Sequence, residues 1–584
     1  MTKSRISMDD IAVQDWTFLQ NVRCPGLTAD IAEIERLKRE IPRTARLHLY
    51  KTRTLCLWAA FIGGTGTGKS TLFNALCNQS LSATGVERPK TGGPIVFAHR
   101  NCLMEGGFPL DEPEPSRQST EGADFAPVSG TPGRLLILEH GSLDLGGLVL
   151  VDTPDLDSVE TVNRQSARDL CRIADVVVFV TSEEKYADEI PNAFLARMLE
   201  EGKTCFFLLN KAQHPTSESE VRQVLEGHGI RLDRAVLWII PFVRSPGPEE
   251  ISRAPRFLDF RDRLLSETRS PRLKEIRDRE ISNLVRAMER GTAGLAEMLA
   301  RENESASDWL DRLRTLHERS ASELLEGMKN RFASGNRDDL NRKIRSLFTR
   351  YDVLAGPRRF IRSLLLTPFR LLGLVGSGRD PSSGEALEKV RQQLDLTPVL
   401  RNMERFHVRV LQDLSPPDPS SPLSQALRRP ETALDRGEIQ QRLWNAHEAT
   451  ETWLKETFHE LSRGLPLTKR WGIYTTSALW GVMIVSFEVI VGGGFSVLDA
   501  ALDSALAPFV TKGAVELFAS REIRKIAREL ARRHQEGILS VLAEQHDRYR
   551  RCLQSLMTPD EVLKKLEDAC KNISSMTDSC KVKP

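Results

Sequence analysis

The feature that most constrains this 584-residue chain is Gly63-Gly64-Thr65-Gly66-Thr67-Gly68-Lys69-Ser70, which fits GxxxxGK[ST]. It follows the apolar run LWAAFIG at 57–63 and precedes TLFNALCNQ, so a strand, a tight loop and a helix are expected in that order. Glycines let successive backbone N–H groups converge on phosphate oxygens, Lys69 reaches the β and γ phosphates, and Ser70 can ligate magnesium. Roughly a few per cent of chains this long would match by chance, before the strand and helix context is required.

The surroundings support an α/β domain. Apolar β-rich runs recur at 57–63, 94–99, 134–140, 148–154, 176–181, 205–210 and 235–240, with amphipathic segments between them, the pattern of a mainly parallel sheet. From Thr28 to about Leu49, Ile31, Ile34, Leu37 and Ile41 step at helical spacing, and Pro42 is expected to break or kink that helix. After Ser270-Pro271 the pattern turns helical: Ile281, Leu284 and Met288, then Trp309, Leu313 and Leu316, step by three and four. Loops or linkers are expected at 377–382 and 414–430, and helices again near Arg436 and from Lys512 to about Leu553.

GKSTLFNAL at 68–76 resembles the translation-factor-related GTPases, in particular their Era-like and dynamin-like branch. Arg88-Pro89-Lys90-Thr91 is similar to that branch's switch I, Val151-Asp152-Thr153-Pro154 to its DTPG switch II, and Asn210-Lys211-Ala212-Gln213 to its guanine-reading NKxD. The resemblance covers roughly residues 55–245. It implies GTP as substrate and Mg2+ as cofactor, with metal ligands Ser70, Thr91 and Asp152 and catalytic roles for Lys69 and Thr91. Nucleotide-binding residues would be Gly63, Gly64, Thr65, Gly66, Thr67, Gly68, Lys69, Ser70, Thr71, Asn210, Lys211 and Gln213. Two positions depart from the pattern. Asp155 stands where switch II has glycine, placing an anion near a phosphate, and Gln213 stands where an aspartate reads guanine. Leu156 occupies the place of a water-orienting glutamine, so slow intrinsic turnover is expected. The resemblance also implies self-assembly through the heads, as a homodimer or larger, with the stretch between His99 and Arg134 long enough for a participating insert.

WGIYTTSALWGVMIVSFEVIV at 471–491 carries one charge, Glu488, and is long enough to span a bilayer core of about 30 Å. Gly492-Gly493-Gly494 allows a turn into 495–511, where Asp499 and Asp503 make a poor spanning helix. Arg463, Lys469 and Arg470 before it, and Arg521, Arg524, Lys525 and Arg528 after it, fit a paddle returning to one side. The competing reading is a buried bundle helix. Residues 358–376 mix cations with a large apolar face and read equally as an interfacial helix or a bundle helix.

Lys plus Arg total 82 and Asp plus Glu 80, so no global basic field draws in nucleic acid, which is not expected as a partner. Nine cysteines without a CxxC pair argue against a disulfide framework or structural zinc and for a reducing compartment. The first 20 residues lack the apolar core of a secretion signal. The expected organisation is an N-terminal helical segment (1–54), a P-loop GTPase head (55–268), an all-α helical stalk (269–470), an apolar hairpin-like tip (471–511) and a C-terminal helical stalk and tail (512–584). The expected work is GTP hydrolysis coupled to membrane binding or remodelling at the cytoplasmic membrane face. The alternatives are a soluble Era-like regulator binding ribosome or RNA, and a nucleotide-binding scaffold without turnover.

Overall fold

The computed structural model describes residues 15–54, 56–84, 92–102, 115–121, 125–157, 161–185, 188–213, 217–227, 236–243, 248–269, 271–333, 397–463 and 514–581, with Pro109 and Ile230. The chain divides into two compact units. The first draws on Met1–Val22, Glu33–Glu297 and Asp560–Pro584, the second on Arg23–Ala32 and Met298–Pro559.

The first unit is built on eight strands: β1 (Leu57–Ile62), β2 (Ile95–His99), β3 (Ser116–Ser119), β4 (Leu136–His140), β5 (Leu148–Asp152), β6 (Val176–Ser182), β7 (Thr204–Ala212) and β8 (Val236–Pro241). They form one sheet in the order β3-β4-β2-β5-β1-β6-β7-β8, parallel at every pairing except β2 with β5. Strands in a sheet covered on both faces read as unbroken apolar runs, and β1, β5 and β6 are buried along their whole length. Alternate residues divide between two cores: Trp58, Ala60, Val149, Val177, Phe207 and Leu209 on one face, Leu57, Phe61, Leu150, Val178, Phe206 and Leu208 on the other.

The helices of this part are α1 (Ile31–Arg53), α2 (Lys69–Cys77), α3 (Thr161–Ile173), α4 (Glu189–Glu200), α5 (Glu218–Gly227), α6 (Pro248–Ser252), α7 (Pro255–Glu267) and α8 (Arg272–Ala333). Leu170, Leu195 and Leu225 place α3, α4 and α5 over the first face, while Phe73 and Phe260 place α2 and α7 over the second. α1 runs through Pro42 without ending there, so of the expected break or kink the break does not occur. Its buried residues Ile34, Leu37, Ile41 and Ala45 lie on both sides of the proline, so packing outweighs the lost hydrogen bond. Gly291 of α8 lies against this face, where a Cβ would make ordinary contact with Ile41 Cγ1 at 3.4 Å.

Two further differences come from pairings that linear spacing does not encode. The stretch after His99 contributes β3, a polar edge strand with every residue exposed. Cys56 and Cys102 form a disulfide, although the cysteine pattern argues against one. Because β2 runs antiparallel to β5, its end comes back to the side of the sheet where β1 starts, leaving the two Cα atoms 5.7 Å apart. Among the described residues, Cys77, Cys171, Cys205, Cys552 and Cys570 form no disulfide.

Buried charge ties α1 and α8 to the sheet. Asp175, just before β6, accepts from Lys51 Nζ at 2.6 Å and from the Trp58 N–H at 2.8 Å. Arg277 of α8 lies 3.9 Å from the same carboxylate and donates to Cys56 O at 2.7 Å. Lys203 donates to Ala174 O at 2.8 Å and to Glu280 at 2.5 Å. Burial pushes the Lys51 ammonium down to about 8 despite the attraction of Asp175.

In the second unit the far part of α8 packs with α9 (Thr397–Asp413), α10 (Pro422–Leu427), α11 (Arg436–Arg463) and α12 (Ala514–Leu556). Trp309, Leu313, Phe406, Leu423, Leu443, Val541 and Tyr549 form its core. The proline-rich stretch is not all loop: α10 lies within it, started by Pro422 at the first turn and by Ser421, whose Oγ accepts from the Ser424 N–H. Glu302 accepts from the backbone N–H groups of Gly26, Leu27 and Thr28. Among the described residues no helix is long and apolar enough to cross a membrane, and residues 358–376 and 471–511 lie outside them.

Lys51→Met should destabilise the first unit by about 3 kcal/mol, read as a shift in the urea midpoint, because it leaves the Asp175 carboxylate buried with less compensating charge. A second outcome concerns acid. His140 accepts from the Ser142 N–H at Nδ1 and stacks on Phe97, and burial, with His99 and Arg100 nearby, lowers its pKa to about 4. Between pH 6.5 and about 4 the unfolded chain therefore binds the extra proton, and wild type should lose stability relative to His140→Gln as pH falls through that window.

Candidate functional site

The loop between β1 and α2 follows from two close approaches. A Cβ on Gly63 would lie 2.0 Å from Val180 O of β6, and one on Gly68 would lie 2.3 Å from Asn210 Nδ2. Gly68 also has φ +95°, a left-handed conformation that caps α2. The loop's carbonyls are occupied one by one. Gly64 O accepts from Thr67 Oγ1 and from Lys69 Nζ, both at 3.0 Å. Gly66 O accepts from Lys211 Nζ at 2.8 Å, and Thr67 O from Asn210 Nδ2 at 2.9 Å.

Asn210 and Lys211 reach the loop because β7 is irregular there. Its register against β8 shifts between Leu209 and Ala212, and Lys211 has φ +60°, a value rare outside glycine. Sequence reasoning placed both residues beside a purine ring, and their contacts brace the back of the phosphate loop. Gln213 is exposed, with its N–H on the Glu183 carboxylate at 3.1 Å.

Asp152 ends β5 and is fully buried. Ser82 Oγ donates to its Oδ2 at 2.7 Å and the Ser70 hydroxyl bonds the same carboxylate, while Oδ1 has no hydrogen-bond partner among the described residues. Burial pushes its carboxyl up to about 6 against the pull of Ser70, Ser82 and Lys69. Ser82 is held in turn by Asn74, whose Oδ1 accepts from the Leu81 and Ser82 N–H groups and whose Nδ2 donates to Ser82 O.

The segment after β5 closes the site. Thr153 Oγ1 donates to Phe61 O at 2.8 Å, and the N–H of buried Leu156 donates to Gly63 O at 3.2 Å. Between and beyond them, Asp155 forms an ion pair with Lys69, and Asp157 accepts from Thr65 N at 2.8 Å and Thr65 Oγ1 at 2.7 Å.

Residues 59–212, the span holding these elements, match the model of the dynamin family. The head resembles that family. No curated protein matches the chain. Similar solved structures include two chains of an oligomerised bacterial dynamin pair, described as providing a mechanism for the long-range sensing and tethering of membranes. One is 10% identical at a TM-score of 0.34, covering 100% of this chain and 96% of that one. The other is 13% identical at 0.28, covering 96% and 82%. Toc33 from Arabidopsis thaliana, as a dimerization-deficient mutant, is 13% identical at 0.24, covering 44% and 98%.

The head brings together Gly63 to Thr71, Asp152, Asn210 and Lys211. Thr91, with Arg88, Pro89 and Lys90, lies outside the described residues. The donor set fits Mg2+: an orphaned, buried carboxylate oxygen beside a serine hydroxyl offers hard oxygen ligands, and such a site takes its remaining ligands from water and phosphate. Among the described residues no cluster of three or more His, Cys, Asp or Glu could hold a metal by itself. Sequence reasoning missed Ser82, Asn74 and Asp157, since no spacing rule links them to the loop.

Gly68→Ala should abolish tight nucleotide binding and cost about 1–3 kcal/mol of stability, through the positive φ and the overlap with Asn210. Calorimetric titration and thermal unfolding of the purified variant measure both.

Proposed function

We propose that this chain is a dynamin-like GTPase that hydrolyses GTP to GDP and phosphate and couples nucleotide state to membrane binding or remodelling. The observation that carries the reading is the meeting, within a dynamin-family head, of Lys69, the Ser70–Asp152 pair and the Asn210–Lys211 brace on one glycine loop. The N–H groups from Gly63 to Thr71 would cradle the phosphates, and Lys69 would place its ammonium on the β and γ oxygens. Ser70, Asp152 and Thr91 would hold Mg2+, which when bound neutralises phosphate charge as the terminal bond breaks. Leu156 is buried and offers no polar atom to orient water, so turnover is slow and head-to-head self-assembly would stimulate it. Gln213 is neutral where an aspartate would accept twice from guanine, so GTP is preferred over ATP by about ten to a hundredfold.

Residues 269–470 and 512–584 would form the stalk and 471–511 the lipid-contacting tip, supported by its apolar length and the cations that flank it. Turnover and liposome sedimentation measured together with GTP and GDP test the whole reading. Lys69→Ala should weaken GTP binding by more than about 2 kcal/mol and remove phosphate release. Unchanged affinity in that variant would sink the nucleotide site, and wild type that never sediments with liposomes would sink the membrane role alone.

A further inference from the structure

Two carboxylates of one short segment bond the groups that a triphosphate needs. Asp155 pairs with the Lys69 ammonium, and the pair is mostly shielded from solvent, with 4% of the Lys69 and 18% of the Asp155 side chain exposed. Asp157 takes the Thr65 N–H, one of the loop amides available to phosphate oxygens, and the Thr65 hydroxyl as well. Its carboxyl lies below the usual range: burial raises it, but the Thr65 bonds and Lys185 at 3.8 Å lower it further. Between the two acids Leu156 is anchored, with its side chain in the core and its N–H on Gly63 O. The anchor fixes the backbone, so each carboxylate can leave the loop by side-chain rotation while the segment stays attached.

We propose that Asp155 and Asp157 are internal phosphate mimics that compete with nucleotide for the loop, and that Asp155 sets the balance between triphosphate and diphosphate. The proposal rests on the nucleotide reading above. A carboxylate and a phosphoryl group present similar anionic oxygens to an ammonium and an amide. Lys69 spans the β and γ positions, so a diphosphate can share the ammonium with Asp155, the carboxylate standing where a γ phosphate would be. A triphosphate cannot share it: two anions would meet at the same cation, and Asp155 must swing out. Asp155 therefore lowers affinity for GTP more than for GDP, and its departure reports the third phosphate to the segment it belongs to. Glycine, the residue at this position in the pattern that the chain resembles, has no side chain to do this.

The test is calorimetric titration of the full chain with GTP and with GDP in Mg2+, for wild type, Asp155→Gly and Asp155→Asn. Hydrogen–deuterium exchange of the peptide bearing Thr65, before nucleotide is added, is compared between wild type and Asp157→Ala. Asp155→Gly should bind GTP at least about tenfold more tightly and GDP within about threefold of wild type, with Asp155→Asn shifted the same way. Asp157→Ala should speed exchange at Thr65. Equal GTP affinity in wild type and both Asp155 variants, or a parallel gain for GDP, overturns the proposal, as does unchanged exchange at Thr65. If wild type and variants alike bind neither nucleotide, the nucleotide reading itself has failed.

Discussion

The phosphate loop works only if its carbonyls are occupied, because a glycine-rich turn with free carbonyls would present acceptors as readily as donors to an anion. Here Lys69, Lys211 and Asn210 hold the carbonyls of Gly64, Gly66 and Thr67. Two of these three come from β7, far along the chain, so the loop's geometry depends on the bulge at Lys211 and on the sheet that positions it. A residue at positive φ without being glycine costs free energy, and such strain persists where surrounding contacts over-determine it. The bond from Lys211 Nζ to Gly66 O is one such contact.

The sheet supplies this geometry through burial on both sides. Trp58, Phe61, Phe179, Phe206 and Phe207 are among the largest side chains with almost no exposure, so the strands that aim Gly63, Asp152 and Asn210 have little freedom to slide. Burial also has a cost, visible in the charges that remain inside. Asp175, Lys51, Lys203 and Glu280 are buried at junctions between helix and strand, and each has an opposite charge within hydrogen-bond distance. Ion pairs of this kind add little net stability over apolar residues of the same volume, but losing one partner is expensive. Their placement at the starts of β1, β6 and β7 fixes how α1 and α8 meet the sheet.

What was legible in the sequence was what covalent spacing enforces. GKS after an apolar run, DTP after another and NK after a third each sit at a strand end, and the strands fold where their unbroken apolar runs place them. The sheet's mainly parallel character follows from the same runs, because both faces must be covered. The remainder depends on partners distant in sequence. The antiparallel β2, the polar edge strand β3 and the Cys56–Cys102 bond arise from strand order, which no local pattern carries. α1 continues through Pro42 because α8 packs beside it, and α10 forms inside a proline-rich stretch because Ser421 and Pro422 suit a helix start. Asn210 and Lys211 stand out in the sequence as candidates, while their contacts with the loop carbonyls do not, since these require the bulge.

Asp152 and Asp155 show how three residues of separation can divide two carboxylates by environment. Asp152 is sealed at the end of β5 with one oxygen unpartnered among the described residues, and burial there favours the proton. Such a group gains from a divalent cation, because the charge that is costly when alone becomes useful when paired. Asp155, past the strand end and partly exposed, already has a cation in Lys69. Lys69 is thus held by an acid of the chain itself, while Asp152 keeps one oxygen without a hydrogen-bond partner among the described residues. Under the proposed function, Mg2+ would meet the open oxygen of Asp152 while a triphosphate displaced Asp155 from Lys69. On that proposal the loop would respond to the complete metal–triphosphate pair more strongly than to either part, a consequence of where β5 ends and of the aspartate that follows Pro154.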